Sequence, residues 1–426
     1  MNDLWRAPTS DEAISKVIEI PGSKSLTNRW LLLASIASTP SRINLPLRAR
    51  DTELMANAVR SLGSSVEVDG TDWIITPSEL AGSTEIDCGL AGTVMRFVPP
   101  VAVLANGIVR FDGDPRARVR PMSAIISALR DLGAQISDDD RGTLPFTISG
   151  KGFLPGGEVK LDASASSQFI SALLLAGARY DQGLTVTHSG GVLPSLPHIE
   201  MTISALAHAG INVEQNLIDS RNAIWRVHAQ VPQGFSITVE PDLSNAAAFV
   251  AAALVTNGNV TIKNWPENTT QAGNALVELI PAMGGTVNRV GTDLKFTGNG
   301  KISGLDIDLH DVGELTPVIA ALCALADSPS QLRGIGHLRG HETDRLAALT
   351  TEINKLGGQV TETEDGLKIS PAKLHGGTFE TYEDHRMAMA GAVLGLKVKD
   401  ISIENIATTN KTLPEFASMW LEMVST

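Results

Sequence analysis

Cations and hydroxyls recur in this chain beside glycines and just ahead of apolar runs. Pro21-Gly22-Ser23-Lys24-Ser25-Leu26-Thr27-Asn28-Arg29 follows the strand-like Val17-Ile18-Glu19-Ile20 and opens a long apolar helix near Trp30. Backbone N–H groups at a helix start, with hydroxyls, Lys24 and Arg29, make an anion site. The hydroxyls alone would equally cap the helix. The segment is not a Walker A loop, because the spacer between Gly and Gly-Lys is missing. In Ala91-Gly92-Thr93-Val94-Met95-Arg96, Gly92 lets backbone approach a ligand, or simply opens a helix. Asp114-Pro115-Arg116-Ala117-Arg118-Val119-Arg120-Pro121 reads as an anion-binding loop or a solvated basic one. Ser164-Ala165-Ser166-Ser167-Gln168 leads into apolar Phe169 to Ala176, which suits a polyol or an anion, or capping. The C-terminal half adds His341-Glu342-Thr343-Asp344-Arg345, Asp384-His385-Arg386 and Asn410-Lys411-Thr412.

Two tempting motifs fail. Position 345 is Arg rather than the second His of a zinc protease, and Gly334-Ile335-Gly336-His337-Leu338-Arg339-Gly340 is one residue too long for a dinucleotide fingerprint. With no nucleophilic Ser turn and no metal-ligand cluster in the sequence, acid–base chemistry by carboxylates, Lys or His remains.

The 34 Lys and Arg against 47 Asp and Glu leave a net charge of −13. Non-specific nucleic-acid binding needs the opposite balance, so nucleic acid is not an expected partner. Cations concentrated at helix starts of an acidic protein instead predict a small polyanionic substrate bound between two domains. Two cysteines, Cys88 and Cys323, make no disulfide framework, and the polar N-terminus has no signal-like apolar run. The longest apolar stretches fall short of the ~18–20 residues of a membrane span. The expectation is a cytoplasmic protein with no membrane partner.

The elements that must position these groups repeat. Leu62-Gly63-Ser64-Ser65-Val66, Leu132-Gly133-Ala134-Gln135-Ile136, Ala209-Gly210-Ile211-Asn212-Val213, Met283-Gly284-Gly285-Thr286-Val287 and Leu356-Gly357-Gly358-Gln359-Val360 each read as helix, Gly, strand. Their near-constant spacing predicts six α/β units. A Gly closes each amphipathic helix and a β-branched residue starts the next strand. Ala229-Gln230-Val231-Pro232-Gln233-Gly234 reads as a connector, which puts a boundary near residue 236.

From Pro21 to Lys411 the chain resembles the 5-enolpyruvylshikimate-3-phosphate synthase family. The resemblance rests on Pro21-Gly22-Ser23-Lys24-Ser25, Ala91-Gly92-Thr93, Ser166-Ser167-Gln168, Glu342-Thr343-Asp344-Arg345-Leu346 and Asp384-His385-Arg386-Met387-Ala388, in that order. It implies an α/β two-domain enolpyruvyl transferase fold, an inside-out α/β barrel in which each domain has three βαβαββ repeats. Residues 21–236 would be the shikimate-phosphate side, and residues 1–20 with 237–426 the phosphoenolpyruvate side, with the active site in the cleft that closes between them.

The implied reaction moves the enolpyruvyl group of phosphoenolpyruvate to the 5-hydroxyl of shikimate 3-phosphate, with no metal and no organic cofactor; a monomer is the default expectation. Shikimate 3-phosphate would be held by Lys24, Ser25, Arg29, Ser166, Ser167, Gln168 and Ser195, with Glu314 and His341 also contacting it. Phosphoenolpyruvate would meet Lys24, Gly92, Arg120, Gln168, Arg345, Arg386 and Lys411. Glu342 is the implied proton donor. Ungapped alignment back from Glu342 makes Glu314 the acceptor, with Asp311 the alternative, and Lys24 assists proton transfer or steadies charge. Glu342 paired with Arg345 along a helix would be the purely structural reading.

Departures from the family pattern include Leu90, Phe97, Leu196 and His198. His341 stands where many members have Lys, so His341, with His337, is expected to hold shikimate 3-phosphate more strongly when protonated. Gly92 stands where Ala gives some members tolerance of glyphosate, which implies that glyphosate competes with phosphoenolpyruvate here. The sister enzyme acting on UDP-N-acetylglucosamine usually has a reactive Cys at the position of Pro115. A silent binding module with the same fold is the other rival, opposed by the presence of Lys24, Glu314, Glu342 and Arg386.

Overall fold

A glycine ends the helix and releases the next strand at five places. In the computed structural model, which describes residues 4–425, Gly63, Gly133, Gly210, Gly284 and Gly357 all take a positive φ, from +82° to +111°. Only Gly adopts that backbone without strain, so the five positions are one structural device repeated.

Six sheets form among the described residues, and the five four-stranded ones share a pattern of a parallel pair followed by an antiparallel hairpin. Thr84–Asp87 runs parallel to Asn106–Asp112, which pairs antiparallel with Phe146–Lys151, which pairs in turn with Gln135–Ser137. The same order links Gly157–Leu161, Leu184–Ser189, Asn222–Val227 and Val213–Asp219. Asp306–Asp308, Ser330–Arg333, Leu367–Ser370 and Gln359–Glu362 repeat it again. In two sheets the outer parallel strand comes from far along the chain. Ser236–Thr238 pairs with Ser41–Asn44, and Ser15–Ile18 pairs with Asn259–Ile262. The last sheet has three strands: Gly377–Phe379 parallel to Ile401–Glu404, with Leu4–Arg6 antiparallel on its other side.

By contacts, Gly22–Val239 forms one compact unit, and the segments before Gly22 and after Val239 form the other. Each has its own apolar core. The second unit centres on Leu243–Val255, Thr316–Ala324 and His385–Gly395, which pack on one another and are buried along almost their whole surface. A helix apolar all round belongs in a core. In the first unit Lys24–Ser35, Gly92–Phe97 and Gln168–Gly177 play that part. Leu31, Leu32 and Leu33 are fully buried, each worth at most about 1.5–3 kcal/mol. The amphipathic helices, such as Arg50–Ser61 and Arg345–Lys355, bury one face only. The starts of the buried helices carry several of the polar motifs, among them Lys24, Gly92, Gln168 and Asp384.

Candidate active site

In the Gly22–Val239 unit, Lys24 is the first residue of its helix, and Ser23 caps it by accepting from the Leu26 N–H. Lys24 Nζ lies 3.6 Å from Asp51 Oδ2, a carboxylate 1 % exposed. Arg29 is buried on the same helix. Its guanidinium donates to Thr202 Oγ1 (2.8 Å), the Ser25 carbonyl (2.9 Å) and the His198 carbonyl (2.9 Å), and it lies over the Phe97 ring. Arg29 thereby ties Ser25 to the Leu196–His208 helix, which begins after Ser195, a residue with φ +54°.

Gly92 opens the Gly92–Phe97 helix, and a Cβ there would come within 3.0–3.4 Å of the Arg120 guanidinium. Arg118 of the basic loop is taken by Asp112 through two bonds of 2.8 and 2.7 Å. Arg120 instead turns inward and donates to the Leu90 carbonyl at 3.3 Å. Ser167 and Gln168 begin the Gln168–Gly177 helix. Arg96 Nη1 donates both to Ser166 Oγ (3.1 Å) and to Gln168 Oε1 (2.9 Å). Sequence reasoning quoted Arg96 in a motif but gave it no role; its signal was a charge placed among apolar residues of a short helix. Asp51, hidden beside Lys24, was missed too.

In the other unit the charges form one network. Arg345 opens the Arg345–Lys355 helix with a side chain 2 % exposed. It donates to Asp384 Oδ2 and Oδ1 at 2.7 and 3.2 Å, and to Glu342 Oε2 at 3.2 Å. Burial opposes its charge, but the charges of Asp384, Glu342 and Glu314 prevail and hold its pKa above the ordinary arginine value. Asp384 also caps the His385–Gly395 helix by accepting from the Arg386 N–H. Glu342 Oε1 accepts from Lys411 Nζ at 2.6 Å, and Lys411 ends the short 3₁₀ helix Ile406–Lys411. Glu314 accepts from Ser244 Oγ. Asp311, the alternative acceptor, is exposed.

His341 Nδ1 is 3.4 Å from Arg345 Nη1. Arginine only donates, so Nδ1 is the acceptor, and a second proton there would have to displace this contact. The His337 ring stands edge-on to both His341 and His310, with centroids 5.7 and 5.8 Å away.

The two cysteines are fully buried, which pushes the Cys88 thiol up and the Cys323 thiol up to about 11, so neither is a ready nucleophile. Among the described residues no cluster of His, Cys, Asp or Glu is arranged for a metal ion, and no helix is long and apolar enough to cross a membrane.

Repeated α/β units pack around buried helices whose starts carry cations and carboxylates, and known proteins with this arrangement give its class. Two solved structures share the fold over nearly all of both chains. An EPSP synthase from Acinetobacter baumannii matches with a TM-score of 0.81 at 25 % identity, covering 99 % of this chain and 98 % of that one. The enolpyruvyl transferase NikO from Streptomyces tendae matches with a TM-score of 0.77 at 17 % identity, covering the same shares. The model of the EPSP synthase family (3-phosphoshikimate 1-carboxyvinyltransferase) matches residues 8–420. A 3-phosphoshikimate 1-carboxyvinyltransferase of Kocuria rhizophila is 52 % identical, over 99 % of this chain and 97 % of that protein. The chain belongs to the EPSP synthase family.

Proposed function

We propose that the residues gathered in both units serve the family's reaction in the roles expected from sequence. The enzyme transfers the enolpyruvyl group of phosphoenolpyruvate to the 5-hydroxyl of shikimate 3-phosphate and releases phosphate, a step of the shikimate pathway toward chorismate and the aromatic amino acids. The observation that carries the residue assignment is Glu342 gripped by Lys411 and Arg345, with Arg345 itself fixed by Asp384.

Each substrate carries a phosphate monoester and a carboxylate. Two like charges 4 Å apart repel by about 1 kcal/mol in water and about 4 kcal/mol at the effective dielectric of a protein surface. Bringing both substrates together therefore needs several cations. Lys24, Ser25, Arg29, Ser166, Ser167, Gln168 and Ser195 hold shikimate 3-phosphate, with Glu314 and His341 reaching it. Lys24, Gly92, Arg120, Gln168, Arg345, Arg386 and Lys411 hold phosphoenolpyruvate. Helix starts add partial positive charge to several of these positions.

The hydroxyl oxygen bonds to C2 of phosphoenolpyruvate as its proton passes to Glu314. Glu342 gives a proton to the methylene carbon, and a tetrahedral ketal results. Breaking the C2–O bond to phosphate, which takes up the proton held by Glu314 as the new methyl group returns a proton to Glu342, restores the double bond and both carboxyl groups. Lys24 steadies the charge on the oxygens. In the arrangement described here Lys411 and Arg345 oppose a proton on Glu342. A phosphoenolpyruvate that draws both cations onto its own anionic groups removes that opposition, so the proton donor is readied by the substrate it serves.

The enzyme works as a cytoplasmic monomer on these two small molecules, without nucleic acid; its acidic balance supports the last point. Phosphate release from phosphoenolpyruvate, compared with shikimate 3-phosphate or UDP-N-acetylglucosamine as acceptor and with or without chelator, tests the reading. Turnover with the nucleotide sugar, or none with either, would overturn it.

Glyphosate competes with phosphoenolpyruvate in this reading. Gly92→Ala, whose Cβ presses on the Arg120 guanidinium, is expected to raise the KM for phosphoenolpyruvate and the glyphosate Ki together. Initial rates with both ligands varied check this, and an unchanged Ki would remove Gly92 from the pocket.

A further inference from the structure

The turn that delivers Asp384 is left-handed at two successive residues that are not glycine, Tyr382 (φ +54°) and Glu383 (φ +60°). Such a backbone persists only where its surroundings over-determine it. The holding partner is Glu352, seven residues beyond Arg345 on the Arg345–Lys355 helix and 1 % exposed. Glu352 Oε1 accepts from the Tyr382 hydroxyl at 2.8 Å, and Oε2 accepts from the Glu380 N–H at 2.9 Å. Lys355 Nζ sits 3.4 Å from Oε2 and 3.0 Å from Glu380 Oε1.

Positions seven apart share one helix face, separated by ~10 Å of rise. One helix thus grips the segment from Glu380 to Asp384 twice, by Arg345 at its first turn and by Glu352 two turns on. A carboxylate suits the lower grip because it accepts from an amide, a phenol and an ammonium at once. Burial, the Glu352 bond and the charges of Glu352, Glu380 and Glu404 hold the Tyr382 phenol well above its ordinary pKa, so it stays a donor.

We propose that Glu352 and Tyr382 are positioning residues: together they hold the strained turn that keeps Asp384 on Arg345 and aims the first turn carrying Arg386. Neither touches substrate. The effect on turnover rests on the reading that Arg345 and Arg386 hold phosphoenolpyruvate.

Tyr382→Phe tests this, because it deletes one donor and retains the ring. The KM for phosphoenolpyruvate is expected to rise about five- to tenfold, with the KM for shikimate 3-phosphate within twofold of wild type. Backbone amides of residues 383–388 are expected to exchange with deuterium about tenfold faster, while the Leu243–Val255 helix keeps its protection. An unchanged KM for phosphoenolpyruvate in an active variant, or unchanged local exchange, overturns the proposal. Wild-type protein with no turnover of this substrate pair would sink the functional reading instead, and the exchange comparison would then decide the positioning role alone. If Tyr382→Phe does not fold, Glu352→Asp, which withdraws the carboxylate by one methylene, is read by the same two measurements.

Discussion

Glu342→Gln is expected to lower kcat about a thousandfold, within the roughly 10²–10⁴-fold that positioned acid–base groups contribute. The amide keeps the size of Glu342 but only one acceptor, so of Lys411 and Arg345, which bind separate oxygens at 2.6 and 3.2 Å, only one retains its partner. What it cannot do is exchange a proton with the methylene carbon. Affinity for shikimate 3-phosphate should be nearly unchanged, because most of its proposed holders lie in the Gly22–Val239 unit. Pre-steady-state phosphate release and calorimetric titration of shikimate 3-phosphate check both halves. A kcat within tenfold of wild type would move the proton donor elsewhere, with Glu314 the next candidate.

Arg345→Met is expected to destabilise the fold by about 3–5 kcal/mol, the usual cost of removing one partner from a buried ion pair. Asp384 has no exposed surface and accepts two bonds from Arg345. With the guanidinium gone, its charge retains chiefly the backbone N–H at the start of the His385–Gly395 helix. Urea unfolding measures the loss. Adding Asp384→Asn should give back part of it, because the amide buries no charge, and contacting residues commonly couple by about 0.5–3 kcal/mol. Strict additivity of the two changes would mean that the pair contributes little. Binding of phosphoenolpyruvate should fall in both variants, since Arg345 is one of its proposed ligands.

The repeat was legible because it is local: helix, Gly and strand succeed one another within about a dozen residues, and all five glycines take the left-handed backbone that pattern requires. The site motifs were legible for a related reason, since hydroxyls and cations ahead of apolar runs mark helix starts. Pairings across distance were not. Asp384 was visible within Asp384-His385-Arg386, but its hold on Arg345, 39 residues earlier, depends on how two helices pack. The same holds for Lys24 with Asp51 and for Arg96 with Gln168. Arg29 was read as a substrate cation, and its bonds to Thr202 and His198 come from a helix about 170 residues away. The near-constant spacing that predicts six units also hid the three-stranded last sheet, which borrows Leu4–Arg6.

That borrowing gives synthesis an order. The unit from Gly22 to Val239 is continuous and can finish folding while the ribosome is still at work. The other unit is made from both ends of the chain: Ser15–Ile18 waits for Asn259–Ile262, and Leu4–Arg6 waits for Ile401–Glu404. At ~5–20 residues per second the first strand emerges tens of seconds before its last partner exists. Throughout that interval it is an unpaired edge, the kind that recruits other chains. Nascent chains arrested near residue 300 should resist protease across residues 22–239 while the segment ahead of Ser15, whose strand partner is not yet made, remains cleavable. Equal protection of both would mean that the ends associate before the last sheet is made. The leading segment is therefore where a chaperone would have most to guard.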